Sequence, residues 1–108
     1  MNEDRRRAPR YQLLAEAEIV ELRSQTRLQA RTSDVSLVGC FMNTASSFPQ
    51  GTEITLKLSA QETTFTSRGV VERTQPTGMG VSFQGVKLDQ QNILRKWLAE
   101  VSRGGWQS

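Results

Sequence analysis

Apolar and polar residues alternate along most of this sequence, in short stretches separated by turn residues. Every second position of the first stretch is apolar or aromatic: Tyr11, Leu13, Ala15, Ala17 and Ile19. Successive side chains of a β-strand point to opposite faces, so this pattern predicts a strand with one buried face. The alternation fails at Val20 and Leu22, which predicts a bulge or register change near Ile19.

Further stretches of the same kind follow this first one. They cover residues 28–32, 37–42, 54–59, 65–71 and 79–83. The segments 48–51 and 76–78 contain Pro and Gly, which favour turns because Pro fixes one backbone dihedral and Gly permits unusual ones. Roughly six short strands at regular spacing predict an all-β fold, an antiparallel barrel or sandwich.

The last part of the sequence changes to the period of a helix. Apolar residues fall on one face at spacings of three and four: Ile93, Leu94, Trp97, Leu98 and Val101. We predict a C-terminal helix over about 88–103, with Asp89 as N-cap and Gly104 as the stop. The helix should cover one opening or side of the β part, with Trp97 in the core.

Length and composition restrict the class of protein. A chain of 108 residues with 36% hydrophobic and 23% charged residues fits one folded domain. The absence of histidine excludes Ser-His-Asp catalysis and His-ligated metals, so we predict no enzyme, metal or cofactor. A lone Cys40 fits a reducing compartment, and no stretch is apolar enough for a signal peptide or membrane span. The expected location is the cytoplasm.

The N-terminal segment Arg5-Arg6-Arg7-Ala8-Pro9-Arg10 carries four of the 14 basic residues, although the net charge is only +3. We call residues 1–10 the arm and predict that it is flexible, followed by a folded part over 11–103 and a tail over 104–108. Pro9 disfavours a helical Ala8, so Arg6 and Arg10 should be strung along an extended segment, up to roughly 13 to 14 Å apart. A cluster this local suits a compact anionic ligand better than a long duplex.

A second polar segment, Asp34-Val35-Ser36-Leu37-Val38-Gly39, supplies a carboxylate, a hydroxyl and a glycine. A carboxylate would be repelled by a dianion unless it accepts from the N1 and N2 donors of guanine or orients an arginine. Together the two segments fit a dianionic ligand that contains guanine. Taken alone, each has a simpler interpretation: a solvated tail, and a turn that bonds its own backbone.

The sequence contains two short motifs separated by a strand, Arg6-x-x-x-Arg10 and Asp34-x-Ser36-x-x-Gly39. Together they resemble the paired motifs of the PilZ domain, the bacterial receptor for cyclic di-GMP. The residues Gly69-Val70-Val71 and the segment 78–83 are similar to later strands of that family. The resemblance covers about residues 4 to 101, nearly the whole chain.

The resemblance implies a six-stranded antiparallel β-barrel whose N-terminal arginines fold over cyclic di-GMP. It implies that Arg6 and Arg10 contact guanine and phosphate, that Asp34 and Ser36 bond a guanine edge, and that Gly39 allows close approach. An additional arginine at Arg5 often accompanies two stacked ligand molecules in the family, which favours a stacked dimer here.

Three further residues are auxiliary candidates for the same site: Arg7, Arg73 and Gly78. Many members of the family place Trp near the position of Arg73, and this chain does not. A guanidinium group can also stack on a base.

The implied function is a non-catalytic receptor whose arm becomes ordered when the ligand binds and which signals to a protein effector. Motility, pilus, polysaccharide (biofilm) and regulatory machinery all remain open as targets, and a monomer is the default state. One alternative is a PilZ-like interaction module that binds no nucleotide. Another is a barrel for single-stranded nucleic acid, which an aromatic content of 6% disfavours.

Overall fold

A computed structural model describes residues 8–104, which form seven strands and one helix. The strands are β1 (Tyr11–Gln12), β2 (Glu16–Glu21), β3 (Arg27–Val35), β4 (Gly39–Asn43), β5 (Glu53–Ala60), β6 (Thr63–Gln75) and β7 (Gly78–Gln84), and the helix is α1 (Leu88–Ser102).

Six of these strands close into a barrel. Their order is β3-β2-β5-β6-β7-β4, and β4 pairs again with β3. All the pairings are antiparallel, and the short β1 is an extra strand beside the end of β3. The predicted six-stranded antiparallel barrel with a C-terminal helix is therefore confirmed.

The first predicted strand is interrupted between β1 and β2, and the hydroxyl of Thr32 bridges the gap. The Ala15 backbone N–H donates to Thr32 Oγ1 at 2.9 Å, and Thr32 Oγ1 donates to the Leu13 carbonyl at 2.6 Å. Thr32 is fully buried, so this hydroxyl satisfies two backbone groups that the break in pairing would leave unbonded.

The bulge predicted near Ile19 is wrong, because β2 pairs through Ile19 with both neighbours without a shift. Register shifts occur instead between Thr32 and Asp34 in the β3–β4 pair, and between Val71 and Arg73 in the β6–β7 pair. Each shift adds one residue to a strand and turns the following side chain to the other face.

The barrel core is apolar, and α1 closes it by packing against β6 and β1. Trp97 is 2% exposed, with its ring centroid 6.5 Å from that of Phe65, so its predicted core position is confirmed. The predicted N-cap is wrong: Gln91 N–H bonds to the Lys87 carbonyl, which makes Lys87 the cap and places Asp89 inside the first turn. There the carboxylate still favours the positive end of the helix dipole.

The helix ends as the sequence indicates, since Arg103 is its C-cap and the next residue, Gly104, adopts a φ of +76°. Among residues 8–104, no helix is long and apolar enough to cross a membrane.

Candidate functional site

The two polar motifs meet in an ion pair between Arg10 and Asp34, which lie 24 residues apart in sequence. Arg10 Nε donates to Asp34 Oδ1 at 2.8 Å, and Arg10 Nη2 lies 2.7 Å from the same oxygen. The pairing of β1 with β3 sets this contact, because Gln12 lies opposite Asp34 and Arg10 precedes β1 by one residue.

This ion pair is accessible to solvent, with side-chain exposures of 48% for Arg10 and 32% for Asp34. Exposed pairs of this kind contribute only about 0 to 1 kcal/mol to stability, so its main effect is to position the two groups. Both contacts use Oδ1 of Asp34, which leaves Oδ2 as an acceptor. The guanidinium group likewise keeps its Nη1 protons and the second Nη2 proton for another acceptor.

Ser36 shapes the turn between β3 and β4. Its hydroxyl accepts from the backbone N–H groups of Val38 (3.1 Å) and Gly39 (3.2 Å), and its own N–H donates to the Gly39 carbonyl at 2.8 Å. The residue is fully buried. In this conformation Ser36 holds the two-residue loop Leu37-Val38, while the carboxylate of Asp34 is the exposed acceptor of the motif.

Asp34, Phe41, Gly80 and Arg73 form a continuous row across strands β3, β4, β7 and β6, which we call the outer row. Asp34 pairs with Phe41, Phe41 with Gly80, and Gly80 with Arg73. Directly paired residues share one face of a sheet. The neighbours Cys40, Met42 and Val81 are buried in the core, so the row faces outward.

The two bulges decide which charges belong to the outer row. Without the extra residue in β3, Ser33 would lie opposite Phe41 and Asp34 would turn inward. Without the extra residue in β6, Glu72 would lie opposite Gly80 in place of Arg73. The bulges therefore put an anion at one end of the row and a cation at the other.

Glycines in β7 let the side chains of the outer row lie flat on the barrel. A Cβ atom at Gly78 would lie 2.1 Å from the Met42 carbonyl oxygen and 2.7 Å from the Phe41 ring, so the backbone of β4 and the ring both occupy the space that a side chain would need. A Cβ atom at Gly80 would lie 3.4 Å from Arg73 Cγ and 3.6 Å from Arg73 Nε. The Arg73 side chain therefore crosses β7 towards Phe41.

Close packing of β4 against β7 explains why residue 39 is a glycine. A Cβ atom there would lie 2.3 Å from the Val81 carbonyl oxygen of the neighbouring strand β7. Real Cβ contacts do not reach this distance, so the absence of a side chain at Gly39 is what lets β4 approach β7. Close approach of a ligand to Gly39 stays a prediction.

The structure brings together most of the residues that the sequence singled out. Arg10, Asp34, Ser36 and Gly39 are contiguous, and Arg73 and Gly78 adjoin them through Phe41. The other predicted contacts, Arg5, Arg6 and Arg7, lie outside the described residues. Phe41 was missed because the whole stretch from Leu37 to Met42 is apolar, and its pattern does not reveal which face the ring takes.

A large groove lies on another wall of the barrel and contains none of the motif residues. It measures about 680 Å³ and lies over β2, β5 and β6, beside the start of α1. Its charges include Glu18, which pairs with both Arg27 and Lys57. The residues with ligand-binding chemistry therefore lie outside this groove. The outer row is the better candidate for the functional site, because it joins both motifs.

Cys40 lies beneath the outer row with its thiol in the core. Burial, with a smaller effect from the nearby charge of Asp34 and a partial offset from Arg10, raises its pKa to about 12. Within residues 8–104, no three His, Cys, Asp or Glu side chains are placed to hold a metal ion.

We predict that Cys40 is inert towards thiol reagents while the barrel is folded. The thiolate is the reactive form, and a raised pKa keeps the thiol protonated at pH 8. Ellman's reagent at pH 8 should react rapidly in denaturant and at least about a hundredfold more slowly with native protein. Equal rates under the two conditions would contradict the buried, protonated state.

Three comparisons with known proteins bear on this fold and site. A family model described as PilZ domain matches residues 4–100. A search of curated proteins found no match.

Several solved structures are similar to this chain. The PilZ domain of CeSA, from a cellulose-synthesizing bacterium, has 10% identity and a TM-score of 0.72, over 87% of this chain and 98% of that one. The PilZ domain with c-di-GMP of YcgR from Escherichia coli has 17% identity and a TM-score of 0.74, over 93% of each chain. The Bacillus subtilis inhibitor of motility, MotI/DgrA, has 18% identity and a TM-score of 0.76, over 94% of this chain and 53% of that one. At these identities the likeness establishes a shared fold.

Proposed function

The chain belongs to the PilZ domain family, and on that premise we propose that it is a cytoplasmic receptor for cyclic di-GMP that signals to a protein partner. PilZ domains are generally cyclic di-GMP receptors, and they are ligand-binding or adaptor domains without enzymatic activity. The observation that carries the proposal is the ion pair between Arg10 and Asp34. It joins the arginine motif and the Asp34 motif into one exposed site.

The chemistry of the ion pair suits guanine and phosphate at the same time. Asp34 Oδ2 can accept from the N1 and N2 donors of guanine while Oδ1 keeps Arg10 in place. The remaining guanidinium protons of Arg10 can donate to a phosphate, a charge-assisted bond of the stronger kind. The pair therefore organises both groups for the ligand, which does not have to break it.

The remaining predicted contacts complete the proposed site. We assign Arg5, Arg6 and Arg7 to the phosphates and bases, with Arg5 favouring two stacked ligand molecules. Arg73 is the auxiliary cation at the far end of the outer row, and Gly78 contributes by leaving room for the Phe41 ring. Ser36 and Gly39 act mainly by fixing the turn that presents Asp34.

The proposed output is a change in the arm. The ligand would gather the arginines of the arm onto the outer row, which changes the surface available to a protein effector. A few charge-assisted bonds, at roughly 1.5 to 3 kcal/mol each, must offset about 1 to 2 kcal/mol of backbone entropy per ordered residue. Pro9 lowers this cost because it stiffens the free arm.

Calorimetry with the wild type, Asp34→Asn and the matched control Asp89→Asn tests the proposal. Wild type should bind cyclic di-GMP at micromolar concentration or tighter and discriminate against cyclic di-AMP. Asp34→Asn should lose roughly ten- to a hundredfold in affinity, since each correct base contact is worth about 1 to 3 kcal/mol of discrimination. Asp89→Asn removes the same charge from the exposed start of α1 and should bind like wild type.

The same titrations identify the alternatives. Equal binding of cyclic di-AMP would contradict the role of Asp34. No heat with either dinucleotide would favour an interaction module without nucleotide. Steeply salt-dependent binding to a random single-stranded oligonucleotide would favour a nucleic-acid barrel.

A further inference from the structure

Phe41 differs from the other aromatic residues in the described part of the chain. Phe65, Phe83 and Trp97 lie in the core cluster, and Tyr11 and Phe48 pack against it. Phe41 belongs to neither group, and the residue is partly exposed on the outer face. It is therefore an aromatic side chain that a ligand on the outer face can contact.

Glycines surround Phe41 on the outer face of the barrel. Its neighbours on this face include Gly39 two residues earlier in β4, its partner Gly80, and Gly78 diagonally across β7. The Phe41 ring lies against β7 at Gly78, where a Cβ atom would come within 2.7 Å of it. An aromatic ring flanked by glycines can accept a planar base.

The charges at either end of the outer row match what a nucleotide carries beside its base. Asp34 is one strand from Phe41 on one side, and Arg73 reaches over Gly80 from the other. Adjacent strands are about 4.8 Å apart, so the row from Asp34 to Arg73 spans roughly 14 Å. That length fits a purine with its donor edge at the acidic end and a phosphate towards the basic end.

We propose that the Phe41 ring is a stacking subsite for a purine base of the bound ligand. This inference rests on the proposed function and adds a contact that neither motif contains. The aromatic ring, rather than apolar character alone, is what binds the base. A leucine could still cover Gly78 but would offer no π surface.

Phe41→Leu and Phe41→Trp test the proposal, with Phe48→Leu as the control for loss of an aromatic residue outside the row. Phe41→Leu should keep the thermal unfolding midpoint within a few degrees but bind cyclic di-GMP about tenfold more weakly. Phe41→Trp should bind at least as tightly as wild type, and Phe48→Leu should bind like wild type. In wild-type protein, NMR should detect a nuclear Overhauser effect between the Phe41 ring protons and guanine H8.

Two outcomes separate this inference from the function on which it rests. If the wild type does not bind cyclic di-GMP, the proposed function is wrong and the subsite is wrong with it. If the wild type binds through Arg10 and Asp34, but Phe41→Leu binds equally well and the Overhauser effect is absent, the subsite alone is wrong. The Overhauser measurement uses wild-type protein, so it stays decisive even where Phe41→Leu fails to fold.

Discussion

Replacing Arg6 and Arg10 together by alanine is expected to abolish measurable binding of cyclic di-GMP while the barrel stays folded. Arg10 makes only an exposed ion pair with Asp34, so its loss costs little stability. Two charge-assisted contacts at roughly 1.5 to 3 kcal/mol each correspond to a loss of about a hundredfold to ten-thousandfold in affinity. Calorimetry, together with a thermal melt of the variant, measures both quantities.

The matched control replaces Arg27 and Arg68 by alanine. These arginines line the groove over β2, β5 and β6, away from the outer row. The control removes the same positive charge, so it reports the part of binding that comes from the general electric field. Wild-type affinity in the Arg6/Arg10 variant, or an equal loss in the control, would overturn the proposal that Arg6 and Arg10 bind the ligand directly.

Replacing Gly39 by alanine is expected to destabilise the protein by about 3 kcal/mol or more. The new Cβ atom would lie 2.3 Å from a backbone oxygen of Val81, and backbone cannot move aside as a side chain can. Relief requires β4 and β7 to separate, which breaks part of the closed barrel. Urea unfolding monitored by the fluorescence of buried Trp97 measures the change.

Gly80→Ala is the control for this variant, because it makes the same change of residue on the neighbouring strand. Its Cβ atom would meet Arg73 Cγ at 3.4 Å, and a flexible side chain can shift by that small amount. The control should lose less than about 1 kcal/mol. Similar losses in the two variants would show that the contact with Val81 is not the cause.

The sequence predicted the architecture well because the period of the apolar residues reports directly on which face is buried. In β5, for example, Ile54, Leu56 and Leu58 are all buried at alternating positions, as their spacing indicates. The N-cap of α1 was misplaced because Asp89 has the chemistry of a cap. The hydrogen bond from Gln91 to Lys87 nevertheless starts the helix earlier.

The outer row could be predicted only in part. Asp34, Ser36 and Gly39 are adjacent in sequence, and a family pattern linked them to Arg10. The bulges at Ser33 and Glu72 are hard to see in the period, because each is a polar residue followed by another polar residue, Asp34 or Arg73. The position of Arg73 over Gly80 follows from those bulges, so it needed the three-dimensional register.

The two bulges also determine where the length of this chain can change. Removing Glu72 would leave Arg73 opposite Gly80 and Val71 opposite Val81, in a regular pair of strands. Removing Ser33 would likewise leave Asp34 opposite Phe41 and Thr32 opposite Met42. A deletion elsewhere within the paired parts of β3 or β6 would move every later side chain in that strand to the opposite face. Chains with the same outer row are therefore expected to differ in length at Ser33 and Glu72 before they differ at any other paired position of these strands.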